Sequence, residues 1–138
     1  MGETAGAGPL AKLGFATGQT IQEFGYDDDV DDDLRFDIED AVGSELVDED
    51  FNEGADGVLI WYRDGDDDLV DLLVDGVTKL FDQGFVVLCT PKAGRPDHVQ
   101  ASDVEEAAST AGLQTGGAVN VAADWTATRL MPPKGPRR

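Results

Sequence analysis

Between Glu23 and Asp75 the chain carries 22 acidic residues and only two basic ones, Arg35 and Arg63, a charge of −20 against −19 for the whole protein. The rest of the sequence is close to neutral. Apolar residues are threaded through the acidic window, among them Val30, Leu34, Ile38 and the run Val58, Leu59, Ile60 and Trp61. A window of this kind is not an acidic tail. It must fold with its carboxylates outward and a core beneath them, giving a domain with one intensely negative face. That face repels nucleic-acid phosphates and anionic lipid, so direct binding to nucleic acid or to membranes is not expected. A basic protein surface is the partner it suits; solubility in salt is the plainer reading of the same charge.

The 138 residues, 41% of them hydrophobic, predict one domain with a modest core. A frayed, glycine- and alanine-rich start over residues 1–10 precedes a domain over 11–131, and residues 132–138 form a proline-rich basic tail with Lys134, Arg137 and Arg138. The start has no basic and apolar halves of a secretory signal, and no apolar run approaches the ~20 residues that span a bilayer. A soluble, cytoplasmic protein is the expectation. Cys89 is the only cysteine. It lies within Phe85 to Cys89, where a buried inert thiol is expected.

The pattern along the chain alternates strand and helix. Gln19 to Phe24 reads as a strand ended by Gly25, and a helix follows with apolar residues at Val30, Leu34, Ile38, Ala41 and Val42. Its first turn is crowded with aspartates, which favour the helix dipole, and Gly43 stands at its C-terminal cap. Glu45 to Val47 predicts a short second strand. Gly57 to Tyr62 and Phe85 to Cys89 are buried strands flanking a helical stripe from Leu69 to Phe81 that closes at Gly84, the length of a right-handed parallel crossover. Ser102-Asp103-Val104-Glu105 has the form of a capping box opening a helix that stops at Gly112. Ala118 to Ala122 and Thr126 to Met131 then supply a terminal strand pair.

Candidate sites are few. Asp64-Gly65-Asp66-Asp67-Asp68, with Asp75 at the twelfth position, has the alternation of a calcium loop, but Leu69 stands where glycine is required, so the loop is expected to cap the next helix. No metal site is expected, and His98, without a second histidine or cysteine nearby, is expected in an exposed loop. No catalytic residue can be nominated from paired carboxylates. Trp61 and Tyr62 end a strand where an α/β sheet presents its ligand crevice, although packing is the commoner role for such aromatics. Lys92 and Arg95 could hold an anion at the same edge or, given the abundance of carboxylates, tether the acidic loops near Asp64. Asp27, Asp28, Asp29, Asp31, Asp32 and Asp33 form the expected interaction face.

Taken in order, Leu13-Gly14-Phe15, Gly18-Gln19-Thr20, Gly43 to Asp50, Trp61-Tyr62-Arg63-Asp64, Thr90 to Arg95 and Asp124 to Leu130 resemble the actinobacterial family known as domain of unknown function 3052, over about residues 11 to 134. That family brings no established activity. More remotely, the order of elements from the Gly84 turn through Pro91 to the terminal strand pair is similar to the back half of Rossmann-like methyltransferases. The fold so implied is a small three-layer α/β sheet, mostly parallel, with an antiparallel C-terminal pair. Such enzymes bind S-adenosylmethionine through a glycine-rich turn after the first strand. Here the equivalent stretch, Glu23 to Asp29, has the single glycine Gly25 followed by Tyr26 and three carboxylates. No cofactor is therefore expected. The preferred function is a non-catalytic regulatory or adaptor module; the alternative is a methyltransferase-like enzyme or small-ligand binder with Gly25, Asp48, Trp61 and Tyr62 around the crevice.

Overall fold

A computed structural model describes residues 9–66 and 68–132. The expectations for a frayed start and a basic tail fall outside this range, apart from Pro9, Leu10 and Pro132. The elements are α1 (Pro9–Leu13), β1 (Ile21–Phe24), α2 (Asp32–Val42), β2 (Ala55–Trp61), α3 (Leu69–Thr78), β3 (Leu80–Pro91), α4 (Ala101–Thr110), β4 (Gln114–Asn120) and β5 (Trp125–Met131). One five-stranded sheet runs in the order β1-β2-β3-β5-β4. β1, β2 and β3 are parallel, and β5 runs antiparallel to both β3 and β4.

Strand periodicity divides the core in two. Ile21, Leu59, Trp61, Phe85, Val87, Cys89, Trp125 and Ala127 face one side and bury Leu13 of α1 and Leu34, Ile38 and Val42 of α2. Phe24, Val58, Ile60, Val86, Leu88 and Leu130 face the other and bury Leu69 and Leu73 of α3 with Val104 and Ala108 of α4. β2 is therefore apolar almost throughout because both its faces are covered, as its unbroken run of apolar residues implied.

Local chemistry sets the helix ends. The Asp31 carboxylate accepts the Leu34 N–H at 2.9 Å, with Asp32 and Asp33 in the first turn, so three aspartates serve the N-terminus of α2. Gly43 closes the helix at φ 85°, a left-handed conformation that suits glycine. Asp68 caps α3 by accepting from the N–H groups of Val70 and Asp71, the helix-capping role expected for that acidic loop.

Four details differ from the sequence reading. Pro9 and Leu10 belong to α1, and Leu10 is buried. α3 ends at Thr78 rather than near Gly84: the Lys79 carbonyl accepts the Ala55 N–H and Leu80 pairs in register with Ala55, so Leu80 and Phe81 begin β3. Their spacing fits a helix and a strand equally; the β2 edge decides. α4 opens at Ala101 with Gln100 as cap and no side-chain capping bond, so the Ser102 box is not used. The segment Glu45 to Val47 contributes a single parallel bridge, Val47 to Gln22, on the outer side of β1.

That bridge matters for topology. The unit from β1 through α2 to Val47 leads outward from β1, whereas β2-α3-β3 leads the opposite way, which is why α2 and α3 cover opposite faces. The reversal lies between β1 and β2, where α/β sheets place their ligand crevice. The chain returns from Val47 to β2 through a short loop anchored from the core by Gln22. Gln22, fully buried, donates through Nε2 to the carbonyls of Asp48 and Phe51, both at 2.9 Å. Replacing Gln22 with alanine leaves these carbonyls without their donor and should cost about 1–3 kcal/mol in urea unfolding. Faster amide exchange confined to residues 47–56 should accompany the loss, and unchanged exchange there would refute the role of Gln22 as the loop's anchor.

Candidate functional site

The carboxyl ends of β1 and β2 converge on Gly25. It adopts φ 81°, and a Cβ there would lie 2.3 Å from the Trp61 carbonyl oxygen, so only glycine is accommodated. Both backbone groups of Gly25 are engaged by side chains of the protein itself. Its N–H donates to Glu49 Oε2 at 3.0 Å, and its carbonyl accepts from Arg63 Nη1 at 2.9 Å. The same Nη1 donates to the Trp61 carbonyl at 3.2 Å, so one guanidinium spans the ends of both strands. Arg63 Nε donates to Asp29 Oδ2 at 2.9 Å, and the guanidinium lies 5.3 Å from the Trp125 ring centroid. Arg63 is only 12% exposed.

A second arginine works between α2 and β1. Arg35 of α2 grips Glu23 of β1 with two bonds, Nε to Oε2 at 2.7 Å and Nη2 to Oε1 at 2.9 Å. Trp61 Nε1 donates to the same carboxylate at 2.8 Å. Glu23 thus joins α2, β1 and β2 from a position that is only 7% exposed. Arg35 also stacks 4.7 Å from the Tyr26 ring centroid. A groove of about 510 Å³ opens beside it, lined by Glu23, Tyr26, Arg35, Asp48, Glu49 and Asp50.

The nominated residues scatter accordingly. Gly25 sits at the crevice and Asp48 in the flanking groove. Trp61 is fully buried, packed edge-on against Trp125 at 4.9 Å, and does not line an open crevice; its role is core packing plus the bond to Glu23. Tyr62 is half-buried and points into a different groove, with α3 and α4. Burial, then the carboxylates of Asp66, Asp64, Asp68 and Asp103, raise its hydroxyl above the ordinary tyrosine range. Of the six aspartates of the expected face, Asp27, Asp28, Asp32 and Asp33 are exposed, Asp31 is the α2 cap, and Asp29 is bound by Arg63.

Arg95 pairs with Asp124 at 3.1 Å, not with the acidic loop near Asp64. The register sets this partner: Trp125 pairs with Pro91, which brings the Asp124 carbonyl onto the Lys92 N–H at 3.0 Å. His98 is half-buried rather than exposed and donates through Nδ1 to the Pro91 carbonyl at 2.8 Å. Cys89 is fully buried, and desolvation, with Glu23 nearby, pushes its thiol far above the ordinary range, where it is inert. Among the described residues no group of three or more potential ligands is placed to hold a metal ion. No helix among them is long and apolar enough to cross a membrane.

Sequence reasoning missed Arg63 and Arg35 as the organising side chains, although their isolation among so many acids was the available signal. Buried or half-buried cations in such a field are structural before they are anything else.

The two-faced sheet, with its crevice between β1 and β2, defines a Rossmann-like methyltransferase fold. Among solved structures it is similar to a SAM dependent methyltransferase from Aquifex aeolicus, with TM-score 0.58 and 12% identity, covering 91% of this chain and 88% of that one. It is also similar to a precorrin-6y C5,15-methyltransferase from Geobacter metallireducens (TM-score 0.62, 10% identity, 92% and 87% covered) and to the pyocyanin biosynthetic protein PhzM (0.67, 16%, 93% and 54%). At these identities the likeness is one of fold. Residues 10–134 match the family model for a protein of unknown function, DUF3052, and the chain belongs to that family. Uncharacterized proteins of Mycobacterium tuberculosis H37Rv and Mycobacterium bovis are each 50% identical over 123 residues, covering 89% of this chain and 77% of theirs.

The Arg63–Asp29 contact makes stability depend on pH in a defined direction. The hydrogen bond from Arg63 holds the Asp29 carboxyl below its ordinary value, against the opposing effect of burial. A depressed folded-state pKa contributes stability above the unfolded value, near 3.9, and loses it as pH falls through the folded one. Asp29 is 46% exposed, so the contact contributes only about 0.5–1 kcal/mol after solvent screening. Asp29→Asn should therefore be less stable than the parent by that amount at pH 6, in urea unfolding, and the gap should shrink as pH falls below about 4. A gap that is constant with pH would contradict the ion pair.

Proposed function

We propose that this protein is a non-catalytic regulatory or adaptor module, built on a methyltransferase-like scaffold, that engages a basic protein surface through its acidic face. The observation that carries the proposal is the state of Gly25. A glycine turn serves a dinucleotide or nucleoside cofactor by presenting bare backbone to it. Here the N–H of that glycine is taken by Glu49 and its carbonyl by Arg63, whose guanidinium fills the space across the ends of β1 and β2. Asp27 and Asp28, beyond the turn, add negative charge rather than hydrogen-bond donors. The residues present do not fit S-adenosylmethionine without displacing Arg63, and no cofactor is part of this reading.

The outer face supports the same proposal. Arg35 and Arg63 bind Glu23 and Asp29 and reach the exposed Asp32 and Asp66 at 3.5 Å, but two cations against 22 carboxylates leave most of the window's surface charge unneutralised. α2 turns Asp32, Asp33, Asp37 and Asp40 outward with Phe36, which is 57% exposed, among them. An aromatic ringed by like charges suits a basic partner surface that offers it a pocket. The setting proposed is the cytoplasm, with no direct role for nucleic acid or membrane. The second reading, an S-adenosylmethionine-dependent enzyme or small-ligand binder, is favoured by the structural neighbours and by the groove beside Tyr26 and Asp48.

Affinity capture from the native cytoplasm, washed at low and at high salt, separates partner binding from mere solubility. A basic protein should be retained at low salt and released at high salt, because exposed charges are screened over roughly 8–10 Å. Neutralising Asp27, Asp28, Asp32 and Asp33 to asparagine should abolish its recovery. Retention that ignores both salt and these substitutions would sink the charged-docking mechanism.

A further inference from the structure

On the face opposite α2, the first turn of α3 and the length of α4 from Asp103 to Thr110 leave a groove of about 370 Å³. Its lining has two chemistries. Leu69, Val70, Val99, Ala107 and the ring of Tyr62 make an apolar floor, while Asp64, Asp103 and Glu106 stand exposed on the rim with Thr110. None of the lining residues is basic, and among the described residues no ion pair engages Asp64, Asp103 or Glu106.

We propose that this groove seats one lysine or arginine side chain of the basic protein partner, with its methylene stem along the apolar floor and its cationic head among Asp64, Asp103 and Glu106. The inference rests on the adaptor reading above and specifies where that partner is gripped. Long basic side chains are the natural occupants of such a site, because they bury an apolar stem while keeping a charged tip near water. A purely apolar peptide would leave three carboxylates facing it, and an anionic ligand would be repelled. The Tyr62 ring adds a face on which a cation is favoured. Burial first, and then Asp66, Asp64, Asp68 and Asp103, raise the Tyr62 hydroxyl above its ordinary range, as expected of a ring set among these carboxylates. Asp68 is occupied in capping α3, so the rim carboxylates rather than the helix end set the sign of this groove.

The test is an amide NMR titration of the full chain, at low salt, with a 12-residue peptide of alternating lysine and leucine, and separately with spermidine. The expected result is saturable shifts confined to residues 62–70 and 99–110. The double variant Asp103→Asn/Glu106→Gln should bind the peptide at least tenfold more weakly. Glu45→Gln/Glu53→Gln, which removes equal charge from exposed positions outside both the α2 surface and this groove, should change the affinity less than twofold. All four positions are exposed, so both variants should keep the dispersed spectrum of the parent. Equal weakening by the two double variants would overturn the groove while leaving a diffuse acidic docking face intact. Spermidine binding at the same residues as tightly as the peptide would overturn the protein side chain in favour of a small organic cation. Absence of any salt-sensitive peptide binding would overturn the groove and the adaptor reading together.

Discussion

One guanidinium holds the carboxyl edge of the sheet together. Arg63 bonds the carbonyls ending β1 and β2, pairs with Asp29 in the turn between β1 and α2, and lies against Trp125 at the start of β5. Three stretches far apart in sequence, Gly25 to Asp29, Trp61 to Arg63 and Trp125, meet on it. In a chain whose acidic window has only two basic residues, this placement sets one of them against both Asp29 and Asp66. Arg35 does the corresponding work between α2 and β1 through Glu23, and the Trp61 indole satisfies the remaining demand of that carboxylate. A buried carboxylate with three donors is tolerable; one stripped of them would be costly.

The same contacts bear on chemistry. A Rossmann-like crevice is useful when glycine turns leave backbone groups open to a ligand. In this protein, Glu49 and Arg63 occupy both groups of Gly25, and the loop of residues 48–54 brings the acids in where further strands and helices would lie in a larger sheet. Gln22 supplies hydrogen-bond donors to the carbonyls of that loop from within the core. The groove beside Tyr26 and Arg35, the acid-rich surface of α2 and the apolar, acid-rimmed groove between α3 and α4 stay open to solvent.

Much of the fold was legible because it rests on local signals. The aspartate-rich first turn and Gly43 framed α2, the two-sided apolar runs marked β2 and β3, and Asp68 announced the cap of α3. Boundaries failed where a pattern served two structures, as at Leu80 and Phe81, whose spacing suits a helix but whose backbone is recruited by β2. The Ser102 box failed because α4 begins before it, at Ala101. The site was less legible. Gly25 and Asp48 could be placed from their position after predicted strands, but the partners that close the crevice come from residues 24 and 38 positions away from Gly25, Glu49 and Arg63, and such pairings follow from register rather than spacing. The orientation of Tyr62 away from the crevice follows from the strict alternation of β2, one residue beyond Trp61.

With Glu49 on its N–H and Arg63 on its carbonyl, Gly25 offers S-adenosylmethionine no free backbone group. Isothermal titration calorimetry of the intact protein with S-adenosylmethionine tests this most directly. No saturable heat up to about millimolar ligand is the predicted result, since binding would require breaking charge-assisted bonds that each contribute about 1.5–3 kcal/mol. Saturable heat at micromolar concentration would contradict the account and establish the crevice as a working cofactor site.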